Sequence, residues 1–285
     1  MKPLEPVLTL HLFPEERAAL LGLLDSLNPA QWDAPTVCSG WSAKDIASHL
    51  LADDLGRLAR GRDSYAAAAF APSSPENVEG QLLDFINRQN GAWVVATRRL
   101  SPRVLIDLLR WSGDETQRYF GSLDLYAIRE PVHWAGPEPA PVWLDIAREY
   151  TERWIHQAQI RDAIGAAALT EPRLFLPLLD TLVRALPHTF RETEAPEGTH
   201  VRLEVTGVGP AGSAPVQWSL VREPSRWSLF DSCPAEAAAT VRMDGDTAWR
   251  LFTKGISKEE ALARVRIEGD ARLGGKVLET VSIIA

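Results

Sequence analysis

The chain has 285 residues, a formal net charge of -8 and a pI of about 5.4, so its overall field repels nucleic acids and anionic membranes. We therefore expect neither as a partner, and the length suits two domains, each with its own core. The N-terminus lacks a signal-peptide pattern, no apolar run approaches the ~20 residues of a membrane span, and the two cysteines lie far apart, which predicts a reducing, cytoplasmic location.

The chain opens with a predicted helix over residues Pro14 to Leu27. It begins with proline and two glutamates, which suit a helix N-terminus, and then places leucines at helical spacing. A turn-rich connector follows. Ser42, with Asp45 three residues later, predicts an N-cap, so a second helix is expected to run to about Arg60.

The second helix carries the first candidate site residues. His49 and Asp53 are four residues apart and so share a face, and His49 has apolar neighbours such as Ile46 and Leu50. A polar group in such surroundings needs a partner. Asp53 either orients a ligand imidazole or is a solvated carboxylate. Cys38, in the preceding connector, is either a nucleophile or, as is commoner for a free cysteine, a packing residue.

Further helices are predicted up to the middle of the chain. Residues 66–75 are small and proline-containing and predict a loop, whereas residues 78–100 and 102–121 place apolar residues at helical spacing. A proline-rich loop follows over residues 130–141. Several amphipathic helices joined by polar loops indicate a helical bundle, whose facing side chains are a usual place for metal sites.

The helix predicted over residues Asp145 to Gly165 carries Glu152 and His156. A separation of four residues on a helix puts these side chains on one face, about 6 Å apart along the axis. Both side chains could then bind the same divalent metal ion. The same spacing also fits a surface hydrogen bond or a core contact. Among the other histidines, His49 is the best candidate for a third ligand.

Beyond Gly165 the pattern changes to alternating apolar and polar residues. After one more helix over residues 171–186, strands are predicted at 200–205, 216–221, 226–230, 239–243 and 265–267. Short helices are predicted at 246–254 and 257–263, and a last helix at 270–284. Strands followed by helices predict a separate α+β domain, with domains at 1–168 and 169–285.

The N-terminal half resembles a known family through a specific pattern. That pattern is W-x-x-PT-x-C-x-GW-x-x-x-D-x-x-x-HL, present as Trp32, Pro35, Thr36, Cys38, Gly40, Trp41, Asp45, His49 and Leu50. With the segment EYTERWIHQAQIRDAIG, it resembles the DinB-like, mycothiol-dependent maleylpyruvate isomerase family. The resemblance implies a four-helix metal-binding domain and a C-terminal domain similar to sterol carrier proteins, hence an α plus α+β fold class.

The resemblance also implies a site and a chemistry. The family's metal triad falls on His49, Glu152 and His156. Two neutral imidazoles and one carboxylate leave open positions on a divalent metal, expected to be zinc, with nickel or iron as alternatives. The family favours a bound low-molecular-weight thiol, mycothiol or a similar one, because a coordinating thiol loses its proton.

Different functions stay open from the sequence. The first is a metal- and thiol-dependent enzyme, an isomerase or S-transferase acting on a small electrophilic substrate. The second is a binding protein whose metal is not catalytic and whose C-terminal domain holds an apolar ligand among aromatic and aliphatic residues, Trp218, Trp227, Phe230, Trp249, Leu251 and Phe252; core packing explains the same residues. The third is a metal hydrolase with Asp53 as base.

Overall fold

A computed structural model describes residues 1–65, 70–74, 76–210 and 212–283, and the backbone alone of residue 79. The chain divides into two compact units, one of residues 9–124 and 152–169 and the other of residues 1–8, 125–151 and 170–285. These units do not follow a single cut in the chain, and the boundary at residue 168 stays a prediction. The loop predicted over residues 66–75 includes residues 66–69 and 75, which lie outside the described part.

The first unit is a bundle of helices. Its elements are α1 (Phe13–Ser26), α2 (Pro29–Trp32), α3 (Ala43–Arg57), α4 (Val78–Thr97), α5 (Pro102–Gly121) and the second half of α6 (Val142–Ile164). A π-helical turn, Leu58–Arg62, continues α3. Four long helices supply the buried core, α1 with Leu20, α3 with Ile46 and Leu50, α5 with Leu109 and α6 with Ile160, and Trp93 of α4 packs against it. The predicted four-helix bundle is confirmed.

The start of α3 is fixed by the predicted N-cap. The Asp45 amide donates to Ser42 Oγ at 3.3 Å, and the Ser42 amide donates to Asp45 Oδ2 at 3.1 Å. Arg98, just after α4, donates to both Asp45 oxygens at 2.9 and 3.1 Å. Burial alone would raise the pKa of Asp45, but the bonds from Arg98 and Ser42 lower it below its usual range. The helix that carries His49 therefore begins at a firmly held residue.

The second unit combines a mixed sheet with helices. Its strands are β1 (Lys2–Pro3), β2 (Ile128–Arg129), β3 (Ala140–Pro141), β4 (His200–Thr206), β5 (Val216–Arg222), β6 (Trp227–Ser232), β7 (Ala239–Asp244) and β8 (Arg266–Gly269). Its helices after α6 are α7 (Pro172–Leu182), α8 (Leu186–Thr189), α9 (Gly245–Phe252), α10 (Lys258–Leu262) and α11 (Ala271–Val277). The predicted α plus α+β class is confirmed.

The described strands of the main sheet run in the order β1-β6-β5-β4-β7-β8. β4 pairs antiparallel with β5 and parallel with β7, and Leu203 at its centre lies between Trp218 and Val241. All three side chains are buried, so the alternating pattern of the sequence marks the covered face of the sheet. β2, just before the proline-rich segment, and β3, at its end, form a separate antiparallel pair.

The last helix is shorter than predicted. The sequence predicts a helix to residue 284, but α11 ends at Val277, after the pair Gly274 and Gly275, which lowers helix propensity. The chain then turns so that Ser282 donates from its amide to Phe252 O at 2.8 Å and from its hydroxyl to Leu182 O at 2.6 Å. These tertiary hydrogen bonds replace the helical ones. Among the described residues, no helix combines the length and apolar character that crossing a membrane requires.

Candidate functional site

Helices α3 and α6 bring His49 and His156 into direct contact. The two imidazole rings meet edge to face, with 4.7 Å between their centroids and 86° between their planes. Each ring lies near a carboxylate one turn away on its own helix: His49 Nε2 is 3.5 Å from Asp53 Oδ2, and His156 Nε2 is 3.7 Å from Glu152 Oε2. The structure therefore gathers all four residues that the sequence singled out.

His49 is the more buried of the two histidines. Its side chain is 9% exposed, the Trp41 ring lies 5.2 Å away between centroids, and Nδ1 has no hydrogen-bond partner in the described structure. Burial lowers the pKa of His49 to about 3, and the nearby His156 and Arg153 add to the effect. The imidazole is therefore neutral at pH 7, which is the form that binds a metal or accepts a proton.

His156 is held from its other side by a side-chain amide. Its Nδ1 lies 2.8 Å from Gln159 Oε1, and the Cys38 thiol donates to the same oxygen at 3.4 Å. Burial raises the pKa of Cys38 against the opposing effect of the Thr36 hydroxyl, so the protonated thiol is favoured at neutral pH. A thiol in this state is a weak nucleophile, which favours the packing role of Cys38 over the catalytic one.

A buried ion network lies on the neighbouring positions of the same two helices. Asp54 accepts from Arg153 Nη2 at 2.7 Å, from Arg17 Nη2 at 2.8 Å and from Ser112 Oγ at 2.7 Å. Asp54 and Arg153 are almost fully buried. Burial would raise the pKa of Asp54, but the two guanidinium groups lower it below its usual range. The network ties α1, α3 and α5 to α6.

A second buried pair extends this network toward α1. Gln157 Nε2 donates to Glu16 Oε1 at 2.8 Å, and Glu16 is fully buried. Burial raises the pKa of Glu16 even though Arg17 and Arg153 favour its charged form. Residues 153 and 157 of α6 thus face the network, while residues 152 and 156 form the site.

The donor chemistry of the site fits a divalent metal. His49 and His156 supply two imidazoles, Glu152 and Asp53 supply carboxylates, and the buried His49 Nδ1 lacks a hydrogen-bond partner in the structure described. Within the described ranges, however, no group of three or more His, Cys, Asp or Glu side chains is arranged so that it could hold a metal ion as it stands. The assignment of His49, Glu152 and His156 as metal ligands stays a prediction.

Three residues beside the site were missed at the sequence level. Gln159 contacts His156, and Asp54 and Arg153 link the two helices that carry the histidines. One signal was present: the charged residues 54 and 153 directly follow two candidate site residues and so face another side of each helix. Their pairing across 99 positions could not be read from local spacing.

The large aromatic residues of the second unit lie mainly in its core. Trp218, Trp227, Trp249 and Phe252 are buried, and Trp218 donates to Asp180 Oδ1 at 2.8 Å. Leu251 is buried as well, and Phe230 is partly covered. A cleft of about 410 Å³ lies in this unit between the N-terminal segment, α7 and β5, with Trp218 in its lining. These facts favour core packing over an apolar pocket built from the aromatic set.

The fold and the site together define a chain with a histidine-bearing helical bundle and an α+β unit. The model of the mycothiol maleylpyruvate isomerase N-terminal domain matches residues 13–161, which is more than half of the chain. The chain therefore belongs to the family of proteins that carry this domain, and the resemblance stated from the sequence is confirmed.

Solved structures with similarity to the chain include the mycothiol-dependent maleylpyruvate isomerase, at 15% identity and a TM-score of 0.49, covering 88% of this chain and 91% of that chain. A histidine-to-alanine mutant of that isomerase aligns over the same shares at 14% identity and a TM-score of 0.49. The ubiquinone synthesis protein UbiJ-SCP2 aligns at 16% identity over 29% of this chain and 68% of that chain, with a TM-score of 0.22. No curated protein matches the chain.

Proposed function

We propose that the chain is an enzyme that holds a divalent metal at His49, Glu152 and His156 and uses a low-molecular-weight thiol of the mycothiol type. Its reaction is the isomerisation of a small electrophilic substrate, of the maleylpyruvate kind, or transfer of the thiol sulfur to such a substrate. The observation that carries the proposal is the contact of the two imidazoles at 4.7 Å, with a carboxylate beside each ring. Family membership supports the choice of thiol and reaction.

The metal would be zinc, with nickel or iron as alternatives. Held by two neutral imidazoles and one carboxylate, a divalent ion keeps a net positive charge and lowers the pKa of a thiol so that it reacts as the thiolate. Bound there, such a thiolate would supply a nucleophile that adds reversibly to a conjugated double bond, which is the chemistry needed for isomerisation. For S-transfer the sulfur would stay bonded to the substrate carbon, and the neighbouring carbon would take up the proton lost by the thiol.

The residues of the chain each have a part in this chemistry. His49 stays neutral because of its burial and so offers a lone pair at physiological pH. Trp41 packs beside the His49 ring and keeps water from that side. Asp53 orients the imidazole of His49 from the next turn of α3, and Glu152, at 24% side-chain exposure, lies at the accessible edge of the site.

The test compares metal content and thiol binding in matched variants. Wild type, His49→Ala, Glu152→Gln and His156→Ala are incubated with zinc, nickel or iron(II), desalted and measured by elemental analysis. His11→Ala, which removes an exposed histidine from the same unit, is the control. We expect about one metal per chain in wild type and control, and at least a tenfold loss of affinity in the three site variants.

Thiol binding and catalysis are then measured on the loaded proteins. Calorimetry with mycothiol should give binding only when metal is present, and cis–trans isomerisation of maleylpyruvate should depend on both. A folded wild type that retains none of the three metals and binds no thiol would overturn the proposal. Metal binding with no thiol binding would instead identify a non-catalytic metal protein.

A further inference from the structure

Gln159 connects the candidate site to Cys38. It lies three residues after His156 on α6, so the two side chains share a face of the helix, and its Oε1 is 2.8 Å from His156 Nδ1. Cys38, in the connector before α3, approaches the same oxygen with its sulfur at 3.4 Å. The Gln159 amide oxygen therefore faces an imidazole nitrogen of its own helix and a thiol that lies 121 residues before Gln159 in the chain.

The arrangement selects one tautomer of His156. A carbonyl oxygen can only accept, so Nδ1 must carry the proton and Nε2 keeps its lone pair. The Cys38 thiol donates to the same oxygen at 3.4 Å, which is consistent with the amide oxygen, not the amide nitrogen, facing the ring. Nε2 is the nitrogen that faces Glu152, 3.7 Å from its Oε2.

We infer that Gln159 is a positioning residue that holds His156 in the Nδ1–H tautomer and presents Nε2 to the site, with Cys38 orienting the Gln159 amide. The inference deepens the proposed function and rests on it for the role of Nε2 as a metal ligand. Ligand imidazoles commonly donate their other N–H to an oxygen, and loss of that partner typically weakens metal binding 10- to 100-fold.

The alternative is that the hydrogen bond between Gln159 and His156 is a local contact of the helix surface with no effect on the site. Pairs three residues apart on a helix interact whatever their function. Such a bond would leave the tautomer of His156 and the metal affinity unchanged when it is removed. The two possibilities therefore differ in measurable properties other than activity.

The first test uses ¹⁵N-labelled histidine and nitrogen NMR at pH 8, on protein treated with chelator. We expect His156 of the wild type to be mainly the Nδ1–H tautomer and to become mixed or mainly Nε2–H in Gln159→Leu. Gln159→Glu keeps an oxygen acceptor and should keep the Nδ1–H tautomer. Gln117→Leu, which removes the same amide from α5, is the control.

The second test measures the affinity for zinc by competition with a chromogenic chelator. We expect a 10- to 100-fold loss for Gln159→Leu and less than a threefold change for Gln117→Leu. Cys38→Ser keeps a donor and should stay near wild type, whereas Cys38→Ala should lose a smaller factor than Gln159→Leu. An unchanged tautomer in Gln159→Leu would overturn the inference.

Failure of the inference and failure of the proposed function give different results. If the wild type binds no metal but Gln159→Leu still changes the tautomer, the positioning role stands and the metal role falls. If the wild type binds zinc and Gln159→Leu binds it equally well, the positioning role falls alone. Circular dichroism of every variant identifies any that does not fold, and Gln159→Glu supplies the comparison in that case.

Discussion

Asp54 and Arg153 form a fully buried ion pair, with 2.7 Å between Oδ1 and Nη2, one residue beyond Asp53 on α3 and Glu152 on α6. The same two helices therefore carry a charged clamp on one side and the paired imidazoles on the neighbouring side. Because Arg17 also donates to Asp54, the clamp holds two cations on one carboxylate. The clamp thus joins α3 to α6 on positions that neighbour the contact between His49 and His156.

Removal of the carboxylate should be strongly destabilising. Asp54→Ala leaves Arg17 and Arg153 buried without their shared anion, and breaking a buried ion pair from one side costs about 3–5 kcal/mol. Urea denaturation followed by tryptophan fluorescence measures the loss. Asp107→Ala is the control, because its pair with Arg110 is more than half exposed on average and should cost less than about 1 kcal/mol. Equal losses of unfolding free energy in the two variants would contradict a stabilising role of the ion pairs at Asp54.

The buried imidazole of His49 should make stability depend on pH. Its pKa is lowered to about 3 in the folded chain, against about 6.5 when unfolded, so below pH 6.5 the unfolded state binds a proton that the folded state does not. The free energy of unfolding should therefore fall as the pH decreases from 6.5 toward 3, by at most about 1.4 kcal/mol per pH unit, and this contribution should be absent above pH 6.5.

The measurement is urea denaturation from pH 4 to 8 on chelator-treated protein. His49→Gln is the comparison, because glutamine stays neutral over this range while the other titrating groups are kept. The difference between the two curves isolates His49. A constant difference from pH 4 to 7.5 would rule out the depressed pKa.

The candidate site was predictable where it rested on helical periodicity. Spacing alone placed His49 with Asp53 and Glu152 with His156, and the family pattern joined the two pairs. Gln159 was not predictable, since its role depends on the connector bringing Cys38 to the same oxygen. Contacts between distant segments are set by packing, which a local pattern does not encode.

The fold shows the same division. The alternation of residues 200–205 and 216–221 predicted strands β4 and β5 to within one residue, but the parallel pairing of β4 with β7 required the structure. The predicted last helix was too long, because the tertiary hydrogen bonds of Ser282 to Phe252 and Leu182 competed successfully with helix continuation. Periodicity thus identified elements, and tertiary contacts decided their ends and partners.

Gly113 should not tolerate a side chain. A Cβ at this position of α5 would lie 3.0 Å from Arg17 Nε and 3.1 Å from its Cζ. Arg17 cannot move away easily, because it donates to Asp54 and to Leu109 O at 3.0 Å. Gly113→Ala should therefore lower the free energy of unfolding by about 1–3 kcal/mol.

The control for this substitution is Gly22→Ala in α1, where a Cβ meets nothing within 4 Å. Alanine has the higher helix propensity, so this variant should be more stable by about 0.5–1 kcal/mol. The denaturant midpoint should be lower than that of wild type for Gly113→Ala and higher for Gly22→Ala. If Gly113→Ala were as stable as Gly22→Ala, the guanidinium of Arg17 would not be held where the network places it.

Trp218 tests whether the aromatic residues of the second unit form a core or serve an apolar ligand. The side chain is 3% exposed, lies opposite Leu203 in the sheet and donates to Asp180 at 2.8 Å. Truncation of a buried tryptophan creates a cavity and costs about 3–5 kcal/mol, so Trp218→Ala should be strongly destabilising without any ligand added. Trp111→Ala, at a half-exposed position, should cost less than about 1 kcal/mol. A Trp218→Ala variant as stable as Trp111→Ala would indicate that Trp218 is not a core residue. That result would favour the function in which the C-terminal domain binds an apolar ligand.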